Sequence, residues 1–361
     1  MSDAEAPEIE RLPVSVITGF LGSGKTTLLK NLLHQPDMAD TAVVINEFGE
    51  IGLDHLLVEK AKEDTILMSS GCLCCSIRGD LIDTLRRLYK RRDRGEVPKF
   101  KRLVIETTGL ADPAPILQTL IGDPLLSAFY RLDGVVTTVD AVNGMDQLDR
   151  QFESVKQAAV ADRLVLTKTD LAGAEQRKAL EARLHALNPA APLLPVAHGA
   201  VAAEQLFNAG LYNPADKSAD VARWLKEEAY AQANEHHDDN HDHGHDHDHD
   251  HALDVNRHDD HIRAFCLTYD NPIAWDKFVN WIEMLITMRG ADLLRIKGIL
   301  NVAGSNAPVA VHGIQHLFHP PAMLPAWSGD DRRSRIVFIT RDLERAWLEQ
   351  SMTEFLAEPA H

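Results

Sequence analysis

Short runs of Val, Ile and Leu recur along the first two-thirds of the chain, separated by stretches in which apolar residues return every three or four positions. The runs VSVIT (14–18), AVVIN (42–46), LVIET (103–107), GVVTTVD (134–140) and RLVLT (163–167) predict strands. They show little alternation, so most should be buried on both faces. TTLLKNLLHQ (26–35), RGDLIDTLRRLYKRR (78–92) and AEQRKALEARLHAL (174–187) predict helices with one apolar face. Strands that alternate with helices point to an α/β fold, a mostly parallel sheet covered on both sides.

The pattern fades after Leu225. Residues 234–261 are a low-complexity run of His and Asp with almost no apolar side chains, which predicts a disordered linker. Beyond it, IRAFCLTY (262–269), ADLLRIKGILNVAG (291–304), PVAVHG (308–313) and SRIVFIT (334–340) predict strands. PIAWDKFVNWIEMLITMRG (272–290) and RDLERAWLEQSMTEFL (341–356) predict helices. The expected organisation is an α/β domain at 1–225, a linker at 226–261 and a smaller α+β domain at 262–361.

The 361 residues, 45% of them apolar, are enough for a sizeable core. A formal charge of −17 argues against nucleic acid or an anionic membrane as partner, since both need a basic surface. No apolar run approaches the ~18 residues of a membrane helix. The first residues, MSDAEAPEIERLP, are acidic and lack the apolar core of a signal peptide. Four cysteines in so long a chain make no disulfide framework, so a reduced, cytoplasmic protein is expected.

Candidate chemistry begins with GFLGSGKT (19–26), a glycine-rich loop between a predicted strand and a predicted helix. It fits the phosphate-binding pattern in which successive backbone N–H groups converge on phosphate oxygens. Gly19, Gly22 and Gly24 admit the required backbone, and Ser23 and Thr27 complete the contacting set. Lys25 would reach the β- and γ-phosphates, and Thr26 would ligate Mg2+. LVIETTG (103–109) ends a strand in a carboxylate; Glu106 would hold Mg2+ and Gly109 would offer its N–H to the γ-phosphate. Lys25, Thr26 and Glu106 form the expected catalytic set. In LVLTKTD (164–170), Asp170 can accept from guanine N1–H and the N2 amino group while the Lys168 stem covers the ring. Adenine would leave that carboxylate unpaired, which favours GTP. Thr167 stands where Asn is commoner.

Together, GFLGSGKTTLL, VINEFGEIGLD, GCLCCSI, ETTGLADP and TKTD, in that order, resemble the CobW-type family of metal-handling GTPases. These are relatives of the urease and hydrogenase nickel-insertion GTPases. The resemblance implies GTP hydrolysis coupled to delivery of a transition metal, chiefly Zn2+ or Co2+, to a client metalloprotein or metal-requiring enzyme. It does not name the client.

Cys72, Cys74 and Cys75 crowd into four positions between the phosphate loop and Glu106. They could be small buried apolar residues or a strained vicinal disulfide, but thiolates at this spacing favour a metal. Three sulfurs leave a tetrahedral ion one ligand short; Glu47 is the candidate, with Glu50 behind it. Cys266 is expected to be structural. The stretch from His236 to His251 holds eight of the 18 histidines. His241, His243, His245, His247 and His249 would give weak, exchangeable metal sites on a tether. His312, His316 and His319 are expected to be surface or core residues. The oligomeric state stays open.

The expected mechanism is linkage: GTP orders residues 46–79 so that the metal ligands converge, and hydrolysis releases the ion. Two competing readings remain, a metal buffer with a regulatory nucleotide site and a P-loop kinase or ATPase.

Overall fold

In the computed structural model, the described residues are 11–45, 66–69, 77–207, 261–327 and 330–357, without the side chains of 66–69 and 77–80. β1 (Leu12–Gly19) leads through the glycine-rich loop into α1 (Lys25–Leu33). β2 (Thr41–Ile45), β3 (Ile66–Ser69), α2 (Ile77–Asp93) and β4 (Arg102–Glu106) follow. Next come α3 (Ala114–Gly122), α4 (Pro124–Phe129), β5 (Tyr130–Asp140), α5 (Gly144–Arg150), α6 (Phe152–Ala159) and β6 (Arg163–Thr167). α7 (Ala174–Leu187), β7 (Leu193–Pro195) and α8 (Ala203–Leu206) complete this part.

The strands form one seven-stranded sheet in the order β3-β2-β4-β1-β5-β6-β7, and every described pairing is parallel. β2, β6 and nearly all of β1 and β4 are buried, as expected of strands covered on both faces. The helices between β4 and β6 have no counterpart in the hydrophobic pattern. α3, APILQTLIG, buries Ala114, Ile116, Leu117, Thr119 and Leu120 and has no charged face to mark it.

The C-terminal part is an antiparallel sheet with two helices. Its elements are β8 (Ile262–Tyr269), α9 (Trp275–Arg289), β9 (Leu293–Leu300), β10 (Val309–Ile314), β11 (Leu317–Phe318), β12 (Ala322–Met323), β13 (Ser334–Arg341) and α10 (Arg345–Ala357). The main order is β11-β10-β9-β13-β8, with β12 beside β10. Side chains divide with a period of two. Phe265 and Leu267 of β8 and Ile336 and Phe338 of β13 join Phe278, Trp281 and Leu285 of α9 in one core. Ile262, Ala264, Cys266, Val337 and Ile339 face the other way and join Val155, Ala158, Leu180 and Leu184 of α6 and α7 in a second. Cys266, 2% exposed, is thus a small apolar residue of that second core.

The two sheets therefore share a core, although the sequence presents them as regions divided by a linker. A buried ion cluster lies in the same seam. Asp162 Oδ1 accepts from Arg295 and Lys297 of β9, each at 2.6 Å, and Asp162 Oδ2 accepts from the Val135 N–H at 2.9 Å. All three side chains are buried. Burial alone pushes the Asp162 carboxyl up, but the two cations outweigh it and hold the group well below the carboxylate range. His312 and His319 lie beside this cluster, where burial and the neighbouring cations keep both rings neutral. His316 is exposed.

Candidate nucleotide-binding site

The phosphate loop is shaped by its backbone. Gly22 (φ +73°) and Gly24 (φ +91°) sit in the left-handed region that side chains with a Cβ rarely enter. The Ser23 N–H donates to Phe20 O at 3.1 Å, and the Ser23 hydroxyl turns inward to Thr138 Oγ1 at 2.7 Å. Ser23, expected among the phosphate contacts, thus spends its side chain bracing the loop from below. Lys25 is nearly buried, and its Nζ donates to Gly19 O (2.8 Å) and Phe20 O (3.2 Å). Thr27 is exposed at the start of α1.

Thr26 Oγ1 donates to Glu106 Oε1 at 2.7 Å. β1 and β4 are paired, Ile17 beside Glu106, so this hydroxyl and carboxylate meet where the two strands end. They are two oxygen donors, one on a 4%-exposed residue, and this chemistry fits a hard divalent cation. Gly109 packs directly on the loop. A Cβ at this position would lie 2.7 Å from Leu21 N and 2.8 Å from Leu21 Cα, so only glycine permits the approach. Behind it, Gln157 Nε2 of α6 donates to Gly109 O (3.3 Å) and Ala111 O (2.9 Å), and Lys156 Nζ pairs with Asp112 at 2.8 Å.

The base loop follows β6. Thr167 Oγ1 donates to Ser23 O at 2.7 Å, tying this loop to the phosphate loop with a hydroxyl. Lys168 has φ +55°, and its Nζ pairs with Asp140 Oδ2 at 2.6 Å. Asp170 Oδ2 lies 3.6 Å from His198 Nδ1, in the loop after β7, and His198 O accepts from Asn31 Nδ2 of α1 at 2.6 Å. The structure thus gathers Gly19, Gly22, Ser23, Gly24, Lys25, Thr26, Thr27, Glu106, Gly109, Lys168 and Asp170 along one edge of the parallel sheet. Sequence reasoning missed Asp140, Gln157 and the His198 loop. Asp140 carried a legible signal: like Glu106, it is a carboxylate closing an apolar run.

Cys72, Cys74, Cys75, Glu47, Glu50 and His241, His243, His245, His247 and His249 lie outside the described residues. Among the described residues no group of three or more His, Cys, Asp or Glu could hold a metal ion. No described helix is long and apolar enough to cross a membrane.

A glycine-rich loop between β1 and α1, at the C-terminal edge of a parallel sheet, defines a P-loop nucleotide-binding protein. The chain belongs to the CobW/HypB/UreG family: residues 13–195 match its nucleotide-binding domain, and 262–356 match the cobalamin synthesis protein cobW C-terminal domain. It is 33% identical to the zinc chaperone YjiA of Escherichia coli K12 over 328 residues, covering 91% of this chain and 93% of YjiA. It is 29% identical to the zinc chaperone CobW of Sinorhizobium sp, covering 95% of this chain and 97% of that one. The crystal structure of Zn(II)-bound YjiA GTPase from E. coli matches with a TM-score of 0.69 and 29% identity, over 96% of this chain and 99% of the other. A Zn(II)-bound triple mutant of YjiA, with one glutamate and two cysteines changed to alanine, matches with the same TM-score of 0.69.

Proposed function

We propose that the chain is a GTP-hydrolysing metallochaperone. It binds zinc or cobalt through Cys72, Cys74, Cys75 and Glu47 and passes the ion to a client metalloprotein in a nucleotide-dependent step. The observation that carries this reading is the register of three neighbouring strands. Ile45 of β2 stands beside Ser69 of β3 on one side and Glu106 of β4 on the other. Adjacent strands are ~4.8 Å apart, and the backbone reaches at most ~3.6 Å per residue. The described chain thus leaves the sheet at Ile45 and Ser69 on adjacent strands, beside Glu106, and in sequence Glu47 follows Ile45 by two residues and Cys72 follows Ser69 by three. A metal site built from them adjoins the nucleotide site. The names of YjiA and CobW as zinc chaperones support the same reading.

Hydrolysis then rests on positioning. Lys25 exchanges the carbonyls of Gly19 and Phe20 for phosphate oxygens, and the loop N–H groups bind the rest of the phosphate chain. Thr26 and Glu106 would hold Mg2+, which neutralises charge developing on the β- and γ-phosphates. Gly109, pressed on Leu21, presents its N–H where the γ-phosphate arrives. Asp170 selects guanine. Because both ligands engage segments leaving the same edge, each raises the affinity of the other by the same factor.

The test is a competition titration of Zn2+ and Co2+ against a chromophoric chelator, with GDP and with a non-hydrolysable GTP analogue. Wild type and a Cys72/Cys74/Cys75→Ser variant are compared. Affinity is expected to rise with the analogue and to collapse in the variant. Equal affinity in both nucleotide states would sink the nucleotide-gated site. Since the YjiA triple mutant is also Zn(II)-bound, the nucleotide-dependent component is the decisive readout.

A further inference from the structure

Asp140 closes β5 and is 1% exposed. It belongs neither to the phosphate loop nor to the residues that meet the base. Its Oδ1 accepts from the N–H groups of Val142 (2.8 Å) and Asn143 (3.2 Å), and its Oδ2 from Asn143 Nδ2 (3.0 Å) and Lys168 Nζ (2.6 Å). Burial pushes the carboxyl up, but Lys168, Asn143 and the backbone donors outweigh it and keep the group ionised. Lys168 is therefore fixed at both ends. Its ammonium is held by a buried anion, and its backbone sits at φ +55°, where a residue with a Cβ stays only when its surroundings hold it. From that residue the chain turns sharply, the Leu171 N–H bonding Lys168 O at 3.0 Å, and Asp170 lies within this turn.

We infer that Asp140 is the positioning residue for base selection. By pinning the Lys168 ammonium it lays the lysine stem where the purine must lie. It also sets the direction of the turn, so that the Asp170 carboxylate meets guanine N1–H and the N2 amino group. The inference rests on the guanine reading given above. A purely structural role for Asp140, capping residues 141–143 ahead of α5, would be served by asparagine, whose amide oxygen accepts the same two N–H bonds and whose amide N–H donates to Asn143 once that side-chain amide turns over. The charge is needed only for Lys168.

The experiment titrates fluorescent GDP, IDP and ADP against wild type, Asp140→Asn, Lys168→Met and the double variant, with thermal melting of each. Lys168→Met keeps the stem and removes the ammonium. Wild type is expected to prefer GDP over ADP, and IDP, which lacks the N2 amino group, to fall between. Each single substitution should weaken GDP about tenfold and ADP by much less, because the lysine stem covers either purine whereas only guanine meets Asp170, and the double variant should be no worse than either single one. A folded Asp140→Asn that keeps the wild-type GDP-to-ADP ratio, or weakens both nucleotides alike, overturns the role of Asp140 and leaves the guanine reading standing. Should Asp140→Asn fail to fold, the same criterion applies to Lys168→Met, whose side chain is 35% exposed. A wild type that binds ADP as tightly as GDP overturns the guanine reading, and the inference with it.

Discussion

Thr26 and Thr167 show how much of the site hangs on single hydroxyls. Thr26 Oγ1 gives its proton to Glu106, the arrangement that a divalent cation bound between a hydroxyl and a carboxylate would replace. Thr26→Ala should leave the glycine loop intact and GDP bound. It should lower GTP turnover by ~100-fold and abolish the Mg2+ dependence of nucleotide affinity, both read by phosphate release and nucleotide titration with and without Mg2+. Thr167 acts on the fold. Its hydroxyl spans the two loops by bonding Ser23 O at 2.7 Å, a reach that explains how a shorter side chain serves where Asn is commoner. Thr167→Val leaves that buried carbonyl without its donor and should cost about 1–3 kcal/mol in denaturant unfolding, whereas Thr167→Ser should be near neutral.

At the scale of elements, α6 joins the site to the rest of the molecule. One face carries Gln157 and Lys156 to residues 109–112, and another packs Val155 and Ala158 against the C-terminal sheet. Gln157→Leu removes both hydrogen bonds that fix the carbonyls of Gly109 and Ala111. On the proposed reading, in which only the γ-phosphate uses the Gly109 N–H, the affinity for a GTP analogue should fall several-fold while GDP affinity holds. Equal loss for both nucleotides would show that Gln157 merely supports the fold. This helix was illegible in the sequence. Eight residues, FESVKQAA, are too few to establish a 3.6-residue period, and its polar residues serve a buried segment, not solvent. The parallel strands were legible for the opposite reason: burial on both faces leaves near-continuous Val and Ile runs. Glu106, Lys168 and Asp170 were readable because they follow such runs at short, fixed distances. Asp140 closes such a run too, but its pairing with Lys168, like that of His198 with Asp170, spans 28 residues. Nothing local announces those pairings.

At the scale of the whole molecule, the C-terminal sheet is bonded to the nucleotide-binding part by apolar packing and by one buried charge cluster. Wild type is therefore expected to unfold in a single transition, since the two sheets share one of their cores and separating them would expose it on both sides. Asp162→Asn leaves Arg295 and Lys297 buried beside an uncharged amide, and breaking a buried pair in this way costs about 3–5 kcal/mol. The pH dependence follows from the direction of the Asp162 shift. The folded state holds the carboxyl below its unfolded value of ~3.9, so the unfolded chain binds the extra proton as pH falls. The stabilisation is thus complete above about pH 4 and fades as pH drops through that value towards the lower folded one. Urea unfolding of wild type and Asp162→Asn should differ above about pH 4 and converge progressively as pH falls below it. A difference that persists undiminished at the acid end would mean that the asparagine variant loses packing in the seam and not charge pairing. In that case the apolar residues of β8 and β13, not Asp162, hold the two sheets together.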